Sequence, residues 1–318
     1  TPEIFSINQI NTNFNNNPKR VDAVDTFLNN ISCFKDNRKQ AILEMLGYSM
    51  TTSTKLEKCF ILYGETAKNG KSTFTKIATH LIGRNNTGNV SFKDINKHRF
   101  ANINIKGKIL NVGGEMPSCY IDDISALKLL ITGELLQVEE KGKPLETISP
   151  YAKFIFNANQ LPIVADKTNG FYRRLHIIPF EKVFSDSESK NFNINELLTP
   201  DALEYLANIS LNAFLSMGEH FSNYEESEKE VNKYKISSNS TLSFINDKEY
   251  IKNFFPNSIP YYAIEVHNCY VNYCENNNWK HLGRNKFYDE IEKYGVIEVR
   301  TINNQKAYKF LDCSTDSR

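Results

Sequence analysis

The chain has 318 residues, 40% of them hydrophobic and 24% charged, an ordinary soluble globular balance for two or three domains. Lys and Arg number 38 against 37 Asp and Glu, a formal charge of +1, so no global basic field advertises nucleic acid and any such contact must be local. Six scattered cysteines (Cys33, Cys59, Cys119, Cys269, Cys274 and Cys313) complete no zinc site, and neither a signal peptide nor a membrane-length apolar run is present. Reduced thiols in a cytoplasmic protein with no membrane contact are therefore expected.

Residues 1–19 are polar and Asn-rich, a loose lead-in. Helical patterning starts near Val21, with Phe27 and Leu28 on its apolar face. A second helix runs from about Asp36, a fair N-cap, through Ala41, Ile42, Met45 and Leu46 to Gly47. Residues 1–50 thus read as a helical cap. Cys59-Phe60-Ile61-Leu62-Tyr63 then reads as a buried strand, and Phe74, Ile77, Ala78, Leu81 and Ile82 recur beyond it at helical spacing.

Between strand and helix stands Gly64-Glu65-Thr66-Ala67-Lys68-Asn69-Gly70-Lys71-Ser72-Thr73. Strand, Gly-rich loop, Gly-Lys-Ser-Thr and helix is the context a phosphate-binding loop requires. The backbone N–H groups of residues 64–73 would face a nucleoside triphosphate. Lys71 is expected to face solvent and the β/γ-phosphates, and Ser72 to hold Mg²⁺. Five residues, not four, separate Gly64 from Gly70, so the loop is one residue long and Glu65 is expected to point away from phosphate.

After a polar link from Gly83 to Asn89, Ile109 to Glu115 reads as a second buried strand. An acid at a strand's carboxyl end, facing such a loop, is where Mg²⁺ and the attacking water are managed. Ile124 to Thr132 is a short amphipathic helix stopped by Gly133. Leu135–Glu140 and Leu145–Ile148 flank Lys141-Gly142-Lys143-Pro144, a hairpin with two lysines at its tip, or simply a solvated turn. Ala152–Phe156 is a third core strand and Leu175–Phe180 a fourth. Residues 51–185 form an α/β core with a parallel sheet.

From Asn195 to about Asn246 the pattern is helical, with a charge-dense, solvated stretch from Glu225 to Lys235, so residues 186–254 form a helical segment. Asn253–Pro260 is a plausible boundary. Beyond it a helix with Val266, Tyr270 and Tyr273, a second from Arg284 to Tyr294, and strands Val296–Arg300 and Lys306–Leu311 around Asn303-Asn304 read as a winged helix over residues 255–318. Its charge is balanced, 8 Lys and Arg against 8 Asp and Glu over residues 256–318. Arg284, Lys286, Arg300 and Lys306 are its candidate phosphate contacts, with a protein-contact module as the alternative.

The order of parts resembles the superfamily-3 helicases. It comprises a loop ending Asn-Gly-Lys-Ser-Thr, the strand-end Glu115, Leu127-Lys128-x-Leu130-x-Thr132-Gly133, Phe156-x-x-Asn159-x-Leu161-Pro162, and Arg173-Arg174-Leu175-x-x-x-Pro179-Phe180. It is most similar to the helicase part of phage, plasmid and mobile-element primase–helicases, relatives of the poxvirus enzyme. The resemblance implies an AAA+-like core in which Lys71 and Ser72 form the Walker A pair and Glu115 is the second Walker B acid, with Gly114 where many relatives carry Asp. It implies Asn159 as the sensor that orients water. Arg174, or failing it Arg173, would be the finger reaching the neighbouring subunit's site, and Lys141 and Lys143 the pore-hairpin contacts. ATP and Mg²⁺ are the implied cofactors, and a hexameric ring moving 3′→5′ on single-stranded or forked DNA the implied assembly. An initiator, a primase or another replication protein is the implied partner. No primase-like segment precedes residue 20, so priming is expected to be absent or trimmed away.

Three functions stay open on these residues. One is an ATP-driven replicative DNA helicase of a phage or mobile element. Another is an ATP-switched, DNA-binding replication initiator or regulator that displaces no strand. The third is a structural ring that loads a partner without unwinding.

Overall fold

Apolar runs without alternation belong in strands buried on both faces, and parallel sheets are built from such strands. In the computed structural model four runs of this kind, with one short addition, make an all-parallel sheet. The structure describes residues 9–98, 100–191, 193–256, 259–277, 279–300 and 304–310. Asn257, Ser258, Asn303, Leu311 and Cys313 lie outside the described residues, as does the first part of the Asn-rich lead-in.

The chain divides into two compact units, Thr1–Val231 and Asn232–Arg318. The first begins with α1 (Asp22–Ile31) and α2 (Asp36–Ser49). Asp36 is the first helical residue of α2 rather than its cap. Lys35 takes the extended cap position, and the acid sits in the first turn, where it favours the helix dipole. Next come β1 (Cys59–Tyr63), α3 (Lys71–Ile82), β2 (Thr87–Gly88), α4 (Phe92–Lys97) and β3 (Leu110–Glu115). They are followed by β4 (Tyr120–Ile121), α5 (Ser125–Thr132), β5 (Leu136–Val138), β6 (Glu146–Ile148), β7 (Lys153–Ala158), β8 (Ile163–Val164), α6 (Asn169–Tyr172) and β9 (Leu175–Pro179). Helices α7 (Asp186–Asn191), α8 (Ile194–Leu197), α9 (Pro200–Leu215) and α10 (Tyr224–Ser237) follow.

The main sheet has the order β2-β3-β7-β1-β9, and every pairing in it is parallel. From β1 the chain crosses to the far edge, returns through β3 and β7, and places β9 on the other side of β1. The crevice beyond the carboxyl ends of β1 and β7 is therefore the topological switch point, where open α/β sheets take ligands. Helix α2 is buried along nearly its whole length, and Glu44 within it accepts from the backbone N–H of Ser222 (2.8 Å) and from that residue's hydroxyl (2.5 Å).

The second unit holds α11 (Ser240–Asn246), α12 (Lys248–Phe254), β10 (Tyr261–Tyr262), α13 (Ala263–Asn276), α14 (Arg284–Lys293), β11 (Ile297–Arg300) and β12 (Lys306–Lys309). Its strands form an antiparallel sheet of order β10-β12-β11. Phe244, Tyr270, Phe287 and Tyr308 are fully buried at its centre, with the Tyr270 and Phe287 rings stacked at 4.3 Å. Among the described residues no helix is long and apolar enough to cross a membrane.

Candidate functional site

The 64–70 loop is closed by its own side chains. Asn69 is 3% exposed, and its amide donates to the Thr66 carbonyl at 2.6 Å. Lys68 has φ +58°; its carbonyl accepts from the Phe184 N–H at 2.9 Å, and its ammonium pairs with Asp186. Gly70 has φ +86°, and a Cβ there would come within 2.9 Å of Ile31 Cγ2. Both conformation and space thus demand glycine where the loop enters α3. No side chain caps that helix, so the first-turn N–H groups, with Ser72 and Thr73 beside them, are free of protein side-chain acceptors.

Lys71 does not face solvent as expected. It is 6% exposed, and its ammonium donates to the Gly64 carbonyl and to Asn159 Oδ1, both at 2.7 Å. Burial pulls its pKa below the ordinary lysine range, against the opposing pull of the Glu115 charge. Asn159, just past β7, donates from Nδ2 to Glu115 Oε1 at 2.5 Å. Residues from α3, β7 and β3 thus meet at one end of the sheet.

The β3–β7 register shifts between Val112 and Glu115, where Gly114 takes φ +70° and a Cβ added to it would meet nothing within 4 Å. A cleft of about 390 Å³ opens there, lined by Tyr63, Glu65, Glu115, Met116, Asn159 and Gln160 among others. Glu65 lines this cleft and accepts from the Tyr63 hydroxyl at 3.1 Å. Among the described residues no group of three or more His, Cys, Asp or Glu could hold a metal. The donors at hand, Ser72 and Glu115, are all oxygen. One or two carboxylates completed by water and phosphate is how Mg²⁺ is usually held, so this set fits that ion.

The arginines are elsewhere. Arg174 immediately precedes β9, and its carbonyl accepts from the Cys59 N–H at the start of β1. The 64–70 loop leaves the other end of β1, roughly 17 Å of strand away. The Arg174 side chain is 12% exposed, donates to the Gly170 carbonyl and lies 3.8 Å from Glu57. Arg173 is 60% exposed and pairs with Glu57 at 3.0 Å.

The hairpin of β5 and β6 is antiparallel, with Lys141, Gly142 and Lys143 at its turn. Both lysines are exposed, and Lys143 pairs with Glu140 at 2.7 Å. In the second unit Arg284 and Lys286 are exposed on the first turn of α14. Lys306 is held by Glu292 (2.8 Å) and Glu298 (3.1 Å), and Arg300 pairs with Glu298 at 3.2 Å. Sequence reasoning missed Glu65 and the Gly64 carbonyl. The signal available for Glu65 was the tyrosine two residues before it.

Residues 62–174, from the end of β1 through the arginine pair, match the model of a family of unknown function, DUF5906. A stretch of 81 residues is 32% identical to "Putative helicase 184R" of Invertebrate iridescent virus 6, covering 26% of this chain and 7% of that protein. The chain thus spans a small part of that relative's length. Across 95% of its residues the fold is similar to the C-terminal region of NrS-1, with a TM-score of 0.55 at 12% identity and 77% of that chain covered. A further structure of the same NrS-1 region gives 0.55 at 15% identity, covering 94% and 77%.

Proposed function

We propose that this chain is the motor of an ATP-dependent DNA helicase serving replication of a phage or mobile element. The observation that carries the reading is the continuous Lys71–Asn159–Glu115 contact at the carboxyl ends of β3 and β7, beside an uncapped helix N-terminus. The helicase-like viral relative over 26% of the chain supports it.

In this reading the Gly64–Thr73 loop wraps the polyphosphate with backbone N–H groups, and Lys71 exchanges the Gly64 carbonyl for β/γ-phosphate oxygens. Ser72 and Glu115 would hold Mg²⁺, which would neutralise phosphate charge. Glu115 takes up a proton from the attacking water, and Asn159 orients that water. Chemistry of this type is positioning plus electrostatics, without a covalent intermediate. Since Arg173 and Arg174 sit at the far end of β1, neither serves its own loop; they act on a neighbour's site in a hexameric ring. Arg173, the more exposed, is the better reach. Lys141 meets the single strand in the pore, and movement is 3′→5′. The helix, helix and hairpin of the second unit act as a winged helix that meets DNA phosphate through Arg284 and Lys286.

The test is hydrolysis with and without single-stranded DNA, together with displacement of a tailed duplex. DNA-stimulated hydrolysis with displacement is expected. Nucleotide binding without displacement would assign the chain to the alternative, an ATP-switched initiator or regulator.

A further inference from the structure

We infer that Glu65 is the second carboxylate of this site, standing in for the acid side chain that Gly114 lacks, and that its charge makes nucleotide entry depend on a divalent cation. The inference rests on the nucleotide reading above.

Strand β3 can offer only one carboxylate. A Cβ at Gly113 would lie 2.1 Å from the Phe156 ring, so that position accepts no side chain, and Gly114 faces open space without one. The residue that compensates comes from another strand. In the sheet β3, β7 and β1 are consecutive neighbours; Glu115 ends β3, and Asn159 and Glu65 stand just past the ends of β7 and β1. At about 4.8 Å per strand the two carboxylates leave the backbone roughly 10 Å apart, with the asparagine between them. Both line the same cleft as Asn159. The separation suits a cation that keeps some of its water, the habit of Mg²⁺, better than it suits a dry chelate.

Glu65 is also held in place. The Tyr63 hydroxyl at the last position of β1 donates to Oε1 at 3.1 Å. A fixed negative group beside the phosphate loop would repel a nucleotide there. Lys71, whose ammonium reaches the cleft-lining Asn159, is already engaged by that side chain and by the Gly64 carbonyl. A divalent ion converts that repulsion into attraction.

The experiment is equilibrium binding of a fluorescent ATP analogue to the full chain, without DNA, in EDTA and across a Mg²⁺ series. It compares the parent with Glu65→Gln, Glu65→Asp and Tyr63→Phe. Glu65→Gln should raise the half-saturating Mg²⁺ by about tenfold, the order of one carboxylate–cation contact at a partly exposed site. The same change should tighten metal-free binding severalfold, because a like charge is gone. Glu65→Asp, which keeps the charge, should stay near the parent in EDTA, and Tyr63→Phe should fall between. If the parent binds with Mg²⁺ and Glu65→Gln leaves both quantities unchanged, the role of Glu65 is refuted while the nucleotide site stands. A parent that binds no nucleotide at any Mg²⁺ refutes both.

Discussion

Lys71 and Glu115 are joined through a single side chain. Asn159 accepts from the lysine ammonium through Oδ1 at 2.7 Å and donates to the carboxylate through Nδ2 at 2.5 Å. Only one orientation of the amide satisfies both neighbours, since an ammonium is a pure donor and a carboxylate a pure acceptor. The asparagine therefore holds a positive and a negative group in register without letting them neutralise each other directly.

Asn159→Ala should separate the two. Lys71 keeps the Gly64 carbonyl, but Glu115 loses its orienting donor. Hydrolysis should fall by about 10²-fold or more, the scale of losing one preorganised donor, with nucleotide affinity changed far less. Steady-state hydrolysis beside equilibrium binding checks this. A drop in affinity equal to the drop in rate would mean that Asn159 only binds.

Lys71→Ala should abolish hydrolysis and also destabilise the chain. Its ammonium satisfies two acceptors from a buried position, so about 1–2 kcal/mol of stability should go with it. Denaturant unfolding of the variant measures that part; an unchanged midpoint would place the side chain in solvent, away from the Gly64 carbonyl and Asn159.

The arginine pair should separate in a similar way. Arg173→Ala should cost under about 1 kcal/mol, since its ion pair with Glu57 is exposed. In rings it should remove most DNA-stimulated hydrolysis and regain some when mixed with Lys71→Ala subunits. Arg174→Ala, which strips a nearly buried guanidinium from the Gly170 carbonyl, should instead lower the melting temperature. No recovery in demonstrably mixed Arg173→Ala rings would transfer the trans role to Arg174.

At the hairpin, Lys141 and Lys143 should not be equivalent. Lys143 is partnered by Glu140, so Lys141→Ala should account for most of the lost single-strand affinity. The log–log salt slope should flatten by about 0.7 for each phosphate contact removed. Equal losses from the two single changes would show that the Glu140 pair opens on DNA.

Lys153 predicts a pH signature. It is 2% exposed within β7, donates to the carbonyls of Thr51 and Tyr151, and sits 5.0 Å from the Tyr48 ring centroid. Burial pushes its pKa down to about 7. The unfolded chain then binds the extra proton between about pH 7 and 10, so stability rises with pH across that window and the penalty is full below it. Lys153→Met should remove about 2–3 kcal/mol of the rise between roughly pH 7.5 and 9.5, read from urea midpoints. An unaltered rise would mean that the two carbonyls and the ring keep the ammonium charged.

Much of the first unit was legible because its strands are buried on both faces and announce themselves as apolar runs. Gly133, in the left-handed region just after α5, stops that helix where the sequence says it should. What stayed hidden depends on distant partners. Strand β2 is two residues long and joins the sheet beside β3, where the Asn111 amide exchanges two hydrogen bonds with the Val90 backbone. The burial of Lys71 needs Asn159, 88 positions away. The stretch read as helical from Asn195 to Asn246 is several helices, because Thr199 and Asn239 each accept backbone N–H groups and restart the chain as caps.

Strand β1 has no slack. Phe60, Ile61 and Leu62 are fully buried, and β7 and β9 pair with it residue by residue on either side. Side chains alternate between faces along a strand, so one extra residue inserted between Ile61 and Leu62 would turn every position downstream of it to the opposite face. Gly64 would lose its bond from its N–H to Ala158, and the ammonium of Lys71 would be carried away from Asn159. The same insertion at Gly142, in an open turn, would change only the length of a projection. Tolerance to insertion along this chain is therefore set by pairing on both edges, and the five residues of β1 are among the least forgiving it has.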